Sequence, residues 1–267
     1  MTGLADHIHA SATIDGDVTL GTGVTIGPNC VLDGTRGPIR IGDGCRLIGG
    51  CYLWGPLTMG QGNTVWPGAA LGGAPQDVNF DPETPGAGLE IGAGNVFREG
   101  ASVHRAKTES PTRIGDENYF MAGAHAGHDS VMGCMNQLAN GALLAGHATV
   151  GDRVIFGGNA GVHQFTRIGT GAFLRGTAGA SMDVPPWCIV HEVNRIAGLN
   201  LIGMRRSGMP ADELRRRREV FRIMYRQGLS MPSVVAQLRA DGDAVGVELA
   251  DFIESSKRGV CSGRSKR

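Results

Sequence analysis

Aromatic residues are scarce in this chain of 267: three tryptophans, three tyrosines and eight phenylalanines. Small and branched aliphatics must therefore fill any core. Net charge is missing too, with 25 acidic against 25 basic residues, so nothing calls for nucleic acid or an anionic membrane as partner. Only Lys107, Lys257 and Lys266 among the basic residues are lysines. No apolar run approaches the roughly 20 residues of a membrane span. The first residues, MTGLADHIHASATIDG, lack a cationic start followed by an apolar stretch, which predicts no secretory signal. The six cysteines contain no CxxC pair, and a reduced, cytoplasmic compartment is the simplest reading.

What the chain has in excess is glycine, 44 residues, without a three-residue period and with only 12 prolines. That excludes a collagen-like chain and points to many tight corners. A six-residue repeat accounts for them. From Ile8 the series runs Ile14, Leu20, Ile26, Leu32, slips by three near Arg36-Gly37-Pro38, and resumes at Ile41, Leu47, Leu53, Met59, Val65, Leu71. It breaks at GGAPQDVNFDPETPGAG, restarts at Ile91, Phe97, Val103, and breaks again around Thr108 to Pro111. The longest run follows: Ile114, Phe120, Ala126, Met132, Leu138, Leu144, Val150, Phe156, Val162, Ile168, Leu174. A helix needs apolar residues every three or four, and an ordinary strand every two.

Four residues after each large position a small or β-branched residue recurs (Ala12, Val18, Val24, Cys30, Ala142, Ala148, Val154, Ala160), so two inward places are specified per hexapeptide. Asn63, Asn95, Asn118 and Asn136 take the small place and are expected to bond the next coil's backbone. Three hexapeptides make one triangular coil, and coils stack at the spacing of paired strands, about 4.8 Å. The expectation is a parallel β-helix over residues 1–190 and an α-helical carboxy-terminal domain over 191–267. In the latter, ADELRRRREVFRIMYRQG after Pro210, SMPSVVAQLRADG, and the segment bearing Val245, Leu249, Phe252 and Ile253 read as helices. The run Arg215 to Arg218 reads as a solvated helix face in preference to a docking patch. The tail from Gly259 is expected to be disordered.

Stacking at eighteen residues relates Ala126, Leu144 and Val162. His128 lies two beyond the first, His147 three beyond the second and His163 one beyond the third, with His125 ending the preceding hexapeptide. Three histidines thus gather on one edge with His125 beside them, none at an inward place. Asp129 directly follows His128, and a carboxylate beside an imidazole holds its tautomer and supports general-base work.

AHAGHD (124–129), LAGH (144–147) and GVHQF (161–165), with DVPPW (183–187) and NLIGMRRSG (200–208), resemble the UDP-N-acetylglucosamine O-acyltransferases of lipid A synthesis over most of the chain. The resemblance implies a left-handed β-helix and a homotrimer with sites between subunits. It implies transfer of a 3-hydroxyacyl chain from acyl carrier protein to the 3-hydroxyl of UDP-N-acetylglucosamine. His128 would be the general base, Asp129 its orienting partner, and the Gly146 amide the oxyanion donor. Substrate positioning would fall to Gln76, Asp77, His104, His125, His147, His163, Gln164, Asn200, Arg205 and Arg206. Gly176 stands where the family measures acyl length. No metal or resident cofactor is implied, since the acyl chain arrives on the phosphopantetheine of the carrier protein.

The chain departs from the family pattern at Asn79, where a lysine is usual, at Ile202, where an acidic residue is usual, and at Ser207, where an arginine is usual; Arg175 before the acyl-length glycine is also unusual. These changes touch nucleotide-sugar recognition and leave open a paralogue that acylates another, amino-bearing nucleotide sugar. A trimeric β-helix hydratase holding a metal through histidines is the alternative from another class. A small-acyl transferase using acetyl-coenzyme A is disfavoured by the helical domain. The related N-acyltransferases carry an extra amino-terminal domain, for which repeats beginning by residue 8 leave no room.

Overall fold

A computed structural model describes residues 7–263. The chain is a left-handed parallel β-helix of about ten turns, and four helices follow it among the described residues. Short strands form three faces. One face stacks Thr25–Ile26, Arg46–Leu47, Thr64–Val65, Val96–Phe97, Tyr119–Phe120, Gln137–Leu138, Ile155–Phe156 and Phe173–Leu174. The second includes Leu57–Met59, Leu89–Ile91, Thr112–Ile114, Val131–Met132, Thr149–Val150 and Arg167–Ile168. The third carries Ala70–Gly73, Ser102–His104, His125–Ala126, Leu143–Leu144, Gly161–Val162 and Gly179–Ala180. The long strand Val31–Ile41 turns the corner between the third and second faces.

The register follows the six-residue period. Ala126 pairs with Leu144 and Leu144 with Val162, eighteen residues apart. Where the period breaks, so does the step: Leu32 pairs with Leu53, Leu71 with Val103, and Val103 with Ala126. All three interruptions leave the third face and rejoin at the second, so every insertion bulges from one edge of the prism. The large inward residues are buried from Ile26 to Leu174, and Phe97 packs on Phe120 with ring centroids 5.0 Å apart. Ile8 and Ile14, in the first coil, remain partly exposed.

The asparagines form a ladder within this dry core. Asn63 Oδ1 accepts from the Asn95 amide (2.8 Å), Asn95 Oδ1 from Asn118 (2.8 Å), Asn118 Oδ1 from Asn136 (2.9 Å), and Asn136 Oδ1 from Val154 (2.7 Å). In these coils a side-chain acceptor takes the buried amide at this place, and an unpaired buried donor is costly.

At the end of the prism Cys188–His191 and Arg195–Leu199 form an antiparallel hairpin, followed by α1 (Leu201–Arg206), α2 (Ala211–Arg226), α3 (Met231–Asp241) and α4 (Ala244–Glu254). Ser230 and Asp243 cap α3 and α4 through their side chains. The expectation of a disordered tail fails over 259–263. Cys261 is fully buried, Ser262–Gly263 pairs with Arg195–Ile196, and the Tyr225 hydroxyl donates to Cys261 O (3.0 Å). Residues 264–267 of that tail lie outside the described residues. The arginine run is also not a uniform solvated face. Arg216 pairs with Asp241 (2.7 Å) and Asp243 (2.5 Å), and Arg217 with Glu213 (2.8 Å) and Glu248 (2.9 Å), tying α2 to the two later helices. Arg215 and Arg218 are exposed.

Asn118→Ala would strip the ladder of its middle rung and leave Asn136 without its acceptor. A loss of about 2–4 kcal/mol in unfolding free energy is expected. Urea or thermal denaturation checks it, and a loss under about 0.5 kcal/mol would mean the rung is dispensable.

Candidate active site

The edge between the third and second faces carries one residue per coil in the left-handed region: Asp129 (φ 60°), His147 (φ 59°) and Phe165 (φ 63°), each eighteen after the last. Aspartate tolerates this conformation better than most residues. The corner turns the side chains of successive coils toward one another. His147 stacks on Phe165 with ring centroids 4.5 Å apart and meets His128 edge-on at 5.1 Å. On the third face, outward-pointing His125 lies beside His104 (5.2 Å between centroids), and Ser102 Oγ is 2.9 Å from its Nδ1.

His128 and Asp129 form the dyad that their adjacency suggested. Nδ1 of His128 is 2.6 Å from Oδ2 of Asp129, whose side chain is only 4% exposed. The same Oδ2 accepts from the Lys107 amide (3.0 Å), while Oδ1 accepts from the Thr108 amide (2.9 Å) and the Thr108 hydroxyl. Four bonds fill the lone-pair positions of a carboxylate. Burial pushes this carboxyl up, but the bonds from Thr108, His128 and Lys107 outweigh it and hold it below the usual range. With a carboxylate on Nδ1, the imidazole carries its proton there and offers Nε2 as base. Gly146 supplies the space beside that nitrogen: a Cβ on it would come within 3.0 Å of Nε2 and Cε1 of His128. Its amide N–H donates to no group among the described residues.

Gln76, His104, His125, His128, Gly146, His163 and Gln164 line one cavity of about 930 Å³, together with Ser102, Leu143, Gly161, Gly179 and Val193. His147 is not among the lining residues and reaches the site through its ring contact with His128. Asp77 sits on the 74–88 loop, bonded to Lys107 (2.6 Å), and Asn79 donates its amide to the same carboxylate (2.9 Å). Asn200, Arg205 and Arg206 are not brought here. Asn200 and Arg206 line a separate cavity of about 580 Å³ with Tyr119, Gln137 and Ile155, on the face opposite the histidine edge. The Asn200 side chain caps α1 through Gly203 N (2.9 Å) and donates to Gly171 O (2.9 Å). Gly176 does not line the histidine cavity.

Sequence reasoning missed Lys107, Thr108 and Ser102. The first two fall where the repeat is interrupted and no register could be counted. It also missed Thr112, whose hydroxyl accepts from the Asp129 amide (2.7 Å). A metal site is geometrically conceivable, since His128, Asp129 and His147 offer ligand atoms within 4.8 Å of one another. The hydratase alternative is nevertheless not favoured, because an ion on Asp129 would have to displace one of its four present donors.

A family model described as "Udp N-acetylglucosamine O-acyltransferase; Domain 2" matches residues 183–261. The acyl-[acyl-carrier-protein]--UDP-N-acetylglucosamine O-acyltransferase of Burkholderia orbicola (strain MC0-3) is 37% identical over 212 residues, 76% of this chain and 80% of that protein. The solved structure of the UDP-N-acetylglucosamine acyltransferase of Francisella novicida is similar with a TM-score of 0.89 at 30% identity, covering 97% of this chain and 95% of its own. That of the Campylobacter jejuni enzyme gives 0.88 at 31% identity, covering 96% and 100%.

Three of the surrounding rings are pushed toward the neutral form. Burial, reinforced by the charges of His104 and His128, pushes His125 down to about 4. Burial also lowers His104 and His147. A histidine depressed on folding contributes stability that is present above its unfolded value of 6.5 and lost as pH falls toward the folded one. Stability should therefore drop between pH 6.5 and about 4, with His125 contributing on the order of 3 kcal/mol across that window. Melting curves of His125→Gln should show a shallower drop there; a drop as steep as that of the parent chain would refute the assignment.

Proposed function

Because this chain belongs to the UDP-N-acetylglucosamine O-acyltransferase family, we propose that it moves a 3-hydroxyacyl chain from acyl carrier protein to the 3-hydroxyl of UDP-N-acetylglucosamine, a step of lipid A synthesis. The observation that carries the reading is the His128–Asp129 dyad facing an open amide at Gly146. His128 Nε2 takes the hydroxyl proton as the sugar oxygen attacks the thioester carbonyl. Asp129 stabilises the imidazolium so formed. The oxyanion of the tetrahedral intermediate takes a hydrogen bond from Gly146, a contribution often worth several kcal/mol. Collapse breaks the carbon–sulfur bond, and the departing thiolate on the carrier's phosphopantetheine recovers the proton from His128. No covalent acyl-enzyme is needed, and no resident cofactor enters.

Gln76, Asp77, His104, His125, His147, His163 and Gln164 are assigned to positioning of the substrates. Gly161 and Gly179 leave the third face bare beside Leu143 and Val193, which suits an acyl chain. Gly176 is retained as the candidate limit on its length.

The reading includes a homotrimer. Leu143, Phe165 and Val193 are each more than half exposed around the histidine edge, an apolar surface that a neighbouring copy would cover. A head-to-tail ring would set Asn200, Arg205 and Arg206 of one copy against the histidines of the next. It also includes a cytoplasmic location. Among the described residues no helix is long and apolar enough to cross a membrane, and the six cysteines are free.

His128→Ala should abolish transfer from hydroxyacyl carrier protein to UDP-N-acetylglucosamine while far-ultraviolet circular dichroism stays unchanged. Residual turnover above about 1% would remove His128 as the base. Light scattering should give three times the chain mass. If the site is shared between subunits, mixed trimers of His128→Ala and Arg206→Glu, each inactive alone, should recover activity at about a quarter of the sites. No recovery would return both groups to a single subunit or strip Arg206 of its role.

A further inference from the structure

The segment from His104 to Thr108 joins two parts of the site. His104 Nδ1 is 2.5 Å from Ala74 O. Arg105, 3% exposed, donates to four carbonyls of the loop and its flank: Gly72 (3.0 Å), Pro82 (2.7 Å), Thr84 (2.9 Å) and Pro85 (2.9 Å). Lys107 then faces both ways. Its main-chain amide donates to Asp129 (3.0 Å) and its ammonium to Asp77 (2.6 Å). Among the described residues no other cation pairs with Asp77. The lysine side chain is 38% exposed and the aspartate's 25%, and Gln76, next to Asp77 in the chain, lines the histidine cavity.

We propose that Lys107 is a positioning residue that sets affinity for the nucleotide-sugar acceptor by holding Asp77 and cancelling its charge. The proposal rests on the nucleotide-sugar part of the acyltransferase reading. Its physical basis is the acceptor's diphosphate: a bare carboxylate on the loop would repel it, and would be drawn toward the imidazolium that forms on His128. The ammonium prevents both. Because the bond to Asp129 comes from the main chain, a substitution at 107 leaves the donors to Asp129 intact, which separates acceptor binding from base strength.

Lys107→Met should raise KM for UDP-N-acetylglucosamine about tenfold, the loss of one charge-assisted bond, with kcat within about twofold and KM for the carrier protein unchanged. Lys107→Arg should recover most of the affinity. Asp77→Asn/Lys107→Met should be no worse than Asp77→Asn alone, since the pair acts as a unit. An acceptor KM within twofold of the parent, or a fall confined to kcat, would overturn the proposal. Calorimetric titration with UDP-N-acetylglucosamine reads the same coupling without transfer. A parent chain that binds the nucleotide sugar, with affinity lost in Lys107→Met but no turnover, would sink the acyltransferase reading and leave this inference standing. A parent chain that does not bind it would sink both.

Discussion

Each coil hangs from the next by amide-to-carbonyl bonds such as Gly127 N to Leu144 O (2.7 Å), Ala145 N to Val162 O (3.0 Å) and His163 N to Ala180 O (2.8 Å). These bonds leave no freedom of register. A shift by one residue would turn every inward side chain outward, at the cost of the whole buried column. Ala126, Leu144 and Val162 are therefore held inward, and whatever lies two or three residues further along must emerge at the same corner. The histidine cluster follows from the core: the backbone places the imidazoles, and packing prevents them from sliding.

The same constraint explains where the loops are. A coil has three corners, yet the slip near Arg36, the 74–88 loop and the 105–111 connection all leave from the corner that later carries His128, His147 and His163. An insertion at another corner would lie away from the dyad. At this one, each added segment stacks against the next, and the column ends directly on Asp129. Thr108 and Lys107 reach that carboxylate because their coil is the one immediately before it. Regular repeats set the positions of the imidazoles, and the irregular segments at the same edge supply the groups that hold them.

This division decides what the sequence could disclose. Periodicity exposed the inward residues, the asparagine ladder, the stacking of Ala126 on Leu144 and Val162, and the three interruptions, since each depends only on counting. The His128–Asp129 contact was suggested by adjacency, and the left-handed corner at Asp129 is what makes it real. Lys107 and Thr108 were illegible because they lie inside a break, where no count carries across. Other misses came from tertiary context overriding local character. Arg216 and Arg217 read as a solvated run, yet acidic residues of α3, α4 and their linker claim them. A glycine- and serine-bearing tail reads as disordered, yet Cys261 docks against Tyr225 and the hairpin. Asn200 reads as a ligand contact but is also the cap of α1.

Charge control completes the site. A cluster of imidazoles would be a poor place for a base if several rings were protonated, because each cation would oppose the next. Burial prevents that at His104, His125 and His147, all displaced toward the neutral form. Asp129 runs the other way, kept anionic by its four donors despite being almost inaccessible. The proton taken from a substrate hydroxyl therefore enters beside the Asp129 carboxylate, with three of the neighbouring rings displaced toward the neutral form. His128 is the ring bonded to that charge, whereas His147 lies 3.8 Å from it. Selection of one base among five neighbouring histidines thus rests on a single carboxylate, and two of that carboxylate's four donors are the main-chain amides of Lys107 and Thr108 in the connecting segment.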